Sequence, residues 1–239
     1  MPHILDCKML LQVNSINTFY GASQAIHDVS FEVASREVVA LLGRNGAGKT
    51  TTMRSIMGLN QVAQGTITFD GSDISRRPPH MIAQLGITLV PERRDPFVLL
   101  TVQENIMLGY RPGSPYTLDR LLDMFPLLKE LLKKKGGELS GGQQQMMVMA
   151  RGLAMGPRLL LLDEPSQGLA PIMVKAVANA LNQLKGEDLT ILLVEQNLNM
   201  ALEIADRVVV MENGTVADTF TSAEGRGNTG RLEKYLAVH

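Results

Sequence analysis

Gly43, Gly46 and Gly48, followed directly by Lys49 and Thr50, are the residues of this chain best suited to handling phosphate. In the run Gly43, Arg44, Asn45, Gly46, Ala47, Gly48, Lys49, Thr50 and Thr51, the glycines let the backbone curl around an anion with several N–H groups pointing inward. A helix opening at Lys49 and Thr50 adds its positive dipole end. Lys49 is placed to reach β- and γ-phosphates, and the Thr50 hydroxyl to coordinate Mg²⁺. Farther along, four leucines at 159–162 deliver Asp163 and Glu164. Asp163 is placed to hold Mg²⁺, directly or through water. Glu164, one residue on, points elsewhere and is placed to polarise a water against a γ-phosphate. A glycine-rich turn with a stray lysine, or a polar turn with two acids, is the plainer reading of each motif. An apolar strand before each and a helix after the first favour the chemical one.

These side chains need elements to hold them. Val38–Leu42 reads as a fully buried strand feeding the glycine loop, and a helix follows from Thr50 to about Met57, stopped near Gly58. Residues 65–71 look like an edge strand between turns. Arg77, Pro78 and Pro79 open a short helix, and residues 86–90 return to the sheet. From Thr101 to about Lys135 the pattern is helical: Leu118, Leu121, Leu122, Phe125 and Leu128 share one face, with a break at Pro126. Strand periodicity resumes at 158–163, 189–195 and 207–211, and Pro171 begins the helix between the first two. Strands alternating with helices imply a mainly parallel, helix-covered sheet, and the helix-only stretch implies an inserted α lobe. Residues 225–230 read as a flexible connector to a short final helix.

The 239 residues suffice for one α/β domain with a subsidiary lobe. A net charge of −1 gives no basic field for gripping a nucleic-acid backbone, which excludes nucleic acid as the expected partner. Cys7 is the only cysteine, so no intrachain disulfide or cysteine-rich metal site is expected, and a reducing compartment fits. No apolar run approaches the roughly 20 residues that cross a bilayer. The first six residues lack the charged and apolar regions of a secretory signal. Any membrane role is therefore expected to depend on another protein.

Residues 139–143 read Leu-Ser-Gly-Gly-Gln, between the glycine loop and Asp163. With the three motifs in this order, the chain resembles the ATP-binding-cassette (ABC) family from about Leu11 to Ala217. The resemblance implies a P-loop NTPase core of α/β class with a mainly parallel sheet, an N-terminal antiparallel β subdomain and an inserted helical lobe. It implies one domain over 1–239: a core at about 9–90 and 158–220, a lobe with the signature at about 91–157, and a short tail at 221–239. It further implies two cassettes closing head to tail around two ATP molecules, the second being a copy of this chain or a paralogue. Each ATP would lie on one phosphate loop and be covered by Ser140, Gly141, Gly142 and Gln143 of the other subunit. A second anion cradle in a chain that already has one is best explained by a second molecule.

Other positions follow from the same resemblance. Tyr20 lies where the family places an aromatic that stacks on adenine, though an aromatic in a strand also reads as core. Glu92 occupies the position where most members have a glutamine that senses Mg²⁺; a carboxylate can still reach the metal but donates no hydrogen bond. Residues 166–169 match a loop that touches the opposite subunit, with Ala170 in place of the usual aspartate. Gln196 stands where the family has a histidine on the γ-phosphate; it can donate a hydrogen bond but cannot relay a proton. Hydrolysis is then either impaired, or carried by Glu164 as base while Gln196 positions phosphate.

Residues 90–92, 139–145, 163–171 and 193–197 together look like the small ATP-binding subunit of branched-chain amino-acid importers, in which the glutamine is usual. Urea and short-chain amide importers are close relatives. A non-transport ABC ATPase of DNA repair would need long coiled coils between Gly43 and Asp163, and no sustained heptads occur there. The implied partners are transmembrane permease subunits, with Arg93, Arg94, Phe97 and Leu99 as candidate contacts, and indirectly a periplasmic solute-binding protein. The implied location is the cytoplasmic face of the bacterial inner membrane, as a peripheral protein. The methionines between 146 and 155 are expected to fill the core behind the signature rather than form a docking surface.

Overall fold

A computed structural model describes residues 8–227; Cys7 and the expected final helix lie outside them. Strands β1 (Met9–Tyr20) and β2 (Ser23–Ala34) form a long hairpin, and β3 (Val38–Leu42) enters the interior. Helix α1 (Lys49–Ile56) follows the glycine loop. Then come β4 (Val62–Phe69), β5 (Ser72–Asp73), α2 (Pro79–Gln84) and β6 (Ile87–Val90). The lobe contributes α3 (Val102–Gly109), α4 (Leu118–Met124), two 3₁₀ turns (Pro126–Leu131 and Gly136–Glu138) and α5 (Gly141–Ala154). Strand β7 (Leu159–Asp163), α6 (Pro171–Leu184), β8 (Thr190–Glu195), α7 (Leu198–Ile204), β9 (Arg207–Glu212), β10 (Thr215–Thr221) and α8 (Ser222–Gly227) complete the order.

Two sheets result. One is antiparallel, in the order β2-β1-β4-β5; the other runs β10-β9-β3-β8-β7-β6, parallel except for β10. The parallel strands are continuous apolar runs because both of their faces are covered. Alternate residues go to opposite sides: Ala40, Leu160, Leu162 and Leu193 pack with the helices of the lobe and with α6 and α7. Leu41, Leu159, Leu161 and Leu192 pack with α1 and the antiparallel sheet. Met146, Met147 and Met149 of α5 are fully buried, as expected.

Several boundaries differ from expectation. Residues 65–69 belong to β4 and 70–71 to the turn after it; β4 has β1 on one side and the two-residue β5 on the other, so it is not the edge. The stretch 101–135 is not one helical run. It breaks after Gly109 into an irregular segment that turns at Pro112 and Gly113, and the chain passes into a 3₁₀ turn at Pro126, whose ring cannot continue the α-helical ladder. Gly225 lies in a helix, α8, rather than in a connector. Among the described residues, no helix is long and apolar enough to cross a membrane.

Candidate nucleotide site

The register of the parallel sheet assembles the site. Leu42 of β3 pairs with Glu195 of β8, and Val194 of β8 pairs with Asp163 of β7. The glycine loop, Glu164 and Gln196 therefore leave the same carboxyl edge of three neighbouring strands, where open α/β sheets bind ligands. The loop turns through Gly48, whose φ of +100° suits glycine. A Cβ there would also sit 2.7 Å from Ile26 Cγ2.

Lys49 is buried, and its Nζ donates to the carbonyls of Gly43 (2.9 Å) and Arg44 (3.1 Å) at the mouth of its own loop. Its Nζ also lies 3.4 Å from Glu164 Oε1, a pair almost shielded from solvent. Gln196 Nε2 donates to the other Glu164 oxygen, Oε2. Glu164 is thus gripped from two sides, on a backbone held at φ +48°. The Thr50 hydroxyl donates to Asp163 Oδ1 at 3.0 Å. Burial, with the neighbouring charges of Glu164 and Glu92, pushes the Asp163 carboxyl up to about 6, against the pull of Thr50 and Lys49.

Lys49, Thr50 and Glu164 border an open cleft of ≈ 690 Å³ whose wall also includes Asn45, Gly46, Gly48, Thr51 and Glu92, with Asp163 and Gln196 behind that wall as partners of Thr50 and Glu164. The remaining wall was not anticipated: Ser23, Gln24, Ala25 and His27 of β2, the Asn213–Gly214 turn, and Gln167. Among these, only the Asn-Gly pair carries a local signal, that of a hairpin turn. The others reach the cleft through tertiary packing, as when His27 N donates to Gly214 O at 2.7 Å.

Tyr20 ends β1, half exposed. Its hydroxyl accepts from Asn60 Nδ2 at 2.8 Å, and the ring is not part of the cleft wall. Ser140 to Gln143 are also not part of it. They open α5 with a capping box: Ser140 N donates to Gln143 Oε1 (2.9 Å), and Gln143 N to Ser140 Oγ (3.4 Å). Arg94 is turned inward. Its Nη2 donates to Gln167 O at 2.9 Å, and its Nη1 would be 2.6 Å from a Cβ at Gly141. It ties the signature to the loop after Glu164 instead of facing outward as a docking side chain. Phe97 and Leu99 are exposed, at 52% and 79%.

A family model described as ABC transporter matches residues 26–167. The high-affinity branched-chain amino acid transport ATP-binding protein BraG of Pseudomonas aeruginosa is 42% identical over 231 residues, covering 95% of this chain and 99% of its own. The probable branched-chain amino acid transport ATP-binding protein LivF of Archaeoglobus fulgidus is 36% identical over 220 residues, 90% of this chain and 93% of that one. A solved nucleotide-free ATP-binding cassette from an ABC transporter superposes with a TM-score of 0.84 at 27% identity, covering 96% of this chain and 98% of that one.

Proposed function

The chain belongs to the ABC transporter family, and from that premise we propose that it is the ATP-hydrolysing subunit of a branched-chain amino-acid importer. One observation carries the hydrolytic reading. Lys49, Glu164 and Gln196 converge at the phosphate loop, while the second anion cradle, 140–143, stays outside the same cleft. The Lys49 ammonium would exchange its two carbonyl partners for phosphate oxygens. Glu164 would then take the proton of a water attacking the γ-phosphate, held in aim by Gln196.

The donor set fits Mg²⁺: a hydroxyl and carboxylates, with an Asp163 whose proton affinity is raised by burial and by the neighbouring acids Glu164 and Glu92. Among the described residues no group of three or more acidic, histidine or cysteine side chains could hold a metal alone. That suits an ion that takes one or two carboxylates and completes its shell with phosphates and water. Thr50, Asp163 and Glu92 would hold it, and it would neutralise charge on the triphosphate.

The capping box at 140–143, with Ser140 exposed at its start and Gly142 buried, supports closure on a second cassette, a copy or a paralogue, with this segment covering the partner's ATP. Tyr20, exposed beside the cleft, would reach adenine from outside the present wall. A groove of ≈ 300 Å³ between β6 and α5, lined by Leu89, Val90, Phe97, Leu108 and Met155, supports docking of a short permease helix. Arg151 borders it, with a buried Nη1 that has no partner. The protein would then sit peripherally on the cytoplasmic face of the inner membrane, served indirectly by a periplasmic solute-binding protein.

The test is reconstitution with its permease subunits and solute-binding protein in liposomes. ATP-driven accumulation of labelled leucine, isoleucine or valine is expected. Turnover of ATP with uptake of urea or short amides instead would overturn the solute, and absence of ATP turnover would overturn the activity.

A further inference from the structure

Glu195 ends β8 at 1% exposure, and nothing in the hydrolytic scheme uses it. Its Oε1 accepts from Ser166 N (3.2 Å). Its Oε2 accepts from Ser166 Oγ (2.9 Å), Gln196 N (3.2 Å) and Asn197 N (3.3 Å). Among the described residues no lysine or arginine pairs with it. Four donors therefore meet one buried group that can only accept when ionised. Burial raises its proton affinity, and the four hydrogen bonds oppose that rise.

The donors come from two loops. Ser166 follows Glu164 by two residues, after β7, and precedes Gln167 in the cleft wall. Gln196 and Asn197 follow β8, and Gln196 returns to Glu164 through its side chain. A ring of contacts results: Glu164 to Gln196, Gln196 to Glu195, Glu195 to Ser166, and back along the chain.

We propose that Glu195 is a positioning residue that clamps the loop after β7 to the loop after β8, so that Glu164 and Gln196 keep their mutual aim and shift as one unit. This deepens the hydrolytic reading and rests on the assignment of Glu164 as base. The clamp depends on an acceptor-only side chain. In Glu195→Gln, nearly the same shape, an NH₂ group confronts at least one of the converging donors, and a buried N–H is left unpaired.

The test uses the full chain. Glu195→Gln is expected to lower kcat by about 10- to 100-fold, the scale of a small misplacement of a catalytic group. KM for ATP is expected to stay close to wild type, because the phosphate loop is untouched. Amide hydrogen exchange is expected to accelerate together in peptides covering 164–168 and 196–198, and not in 43–51. Ser166→Ala should give a smaller loss of kcat, and Ser166→Thr, which keeps the hydroxyl, should restore it. Wild-type kcat in Glu195→Gln, or faster exchange in only one of the two loops, overturns the clamp. A wild-type chain that splits no ATP defeats the hydrolytic reading, and the exchange result still decides whether Glu195 joins the loops.

Discussion

Lys49→Ala removes a cation that serves three acceptors: two carbonyls of its own loop and Glu164. Bound triphosphate would gain about two charge-assisted hydrogen bonds from this side chain, worth roughly 1.5–3 kcal/mol each. The two carbonyl bonds given up offset about 1 kcal/mol apiece. The net loss of ATP affinity is then about 1–4 kcal/mol, or roughly 5- to 700-fold in Kd. Stability should fall as well. Breaking a buried pair costs about 3–5 kcal/mol, but Gln196 still holds Glu164 and the cleft is open to water, so roughly 1–3 kcal/mol is expected. The assay pairs urea unfolding without nucleotide with titration of a fluorescent ATP analogue. Adding Glu164→Gln should recover part of the lost stability, since no unpaired carboxylate remains, and should recover none of the affinity. A folded Lys49→Ala protein binding ATP as wild type does would refute the assignment of the loop.

Glu164→Gln should keep ATP binding and lose hydrolysis, leaving a dimer visible by size exclusion in ATP; a persistently monomeric variant would count against the two-subunit sandwich. Asp163, with a folded value of about 6 against 3.8 for the free group, binds its proton more tightly when folded. In chelator, stability should therefore decline as pH rises from about 4 to 6, by on the order of 1–3 kcal/mol. Asp163→Asn should flatten that slope, and a slope unchanged in this variant would contradict the burial cause. Gly142→Ala would place a Cβ 2.5 Å from Met173 Cε, so it should destabilise by about 1–3 kcal/mol. Met173→Ala in the same chain should relieve the clash; if thermal unfolding shows no relief, the contact is not the cause.

How much of this was legible in the sequence depended on whether the signal was local. Val38–Leu42 and Leu159–Asp163 declare themselves because strands covered on both faces need unbroken apolar runs. The glycine loop declares itself because only a few residue types can form it. The stretch 101–135 misleads: Leu118 to Leu128 has true helical spacing, but Pro112, Gly113 and Pro115 ahead of it break the chain, a punctuation outweighed by the leucines around it. Ser23, Gln24 and His27 reach the cleft only through the packing of a distant strand, so no local pattern marks them. Arg94 reads as a loop cation and folds inward because Gln167 O and the start of α5 lie beneath it. Glu195 shows the same limit. An acid ending an apolar strand is visible, yet the convergence of four donors on it is not.

Glu164 occupies a left-handed backbone well that costs a residue with a Cβ on the order of 1–2 kcal/mol. Asparagine or glycine would rest there more comfortably. A selection for heat resistance alone would accordingly favour replacing the very carboxylate that the chemistry needs, yielding a sturdier and inert protein. Glutamate at that torsion lowers stability, and the position marks where durability and turnover compete within this fold.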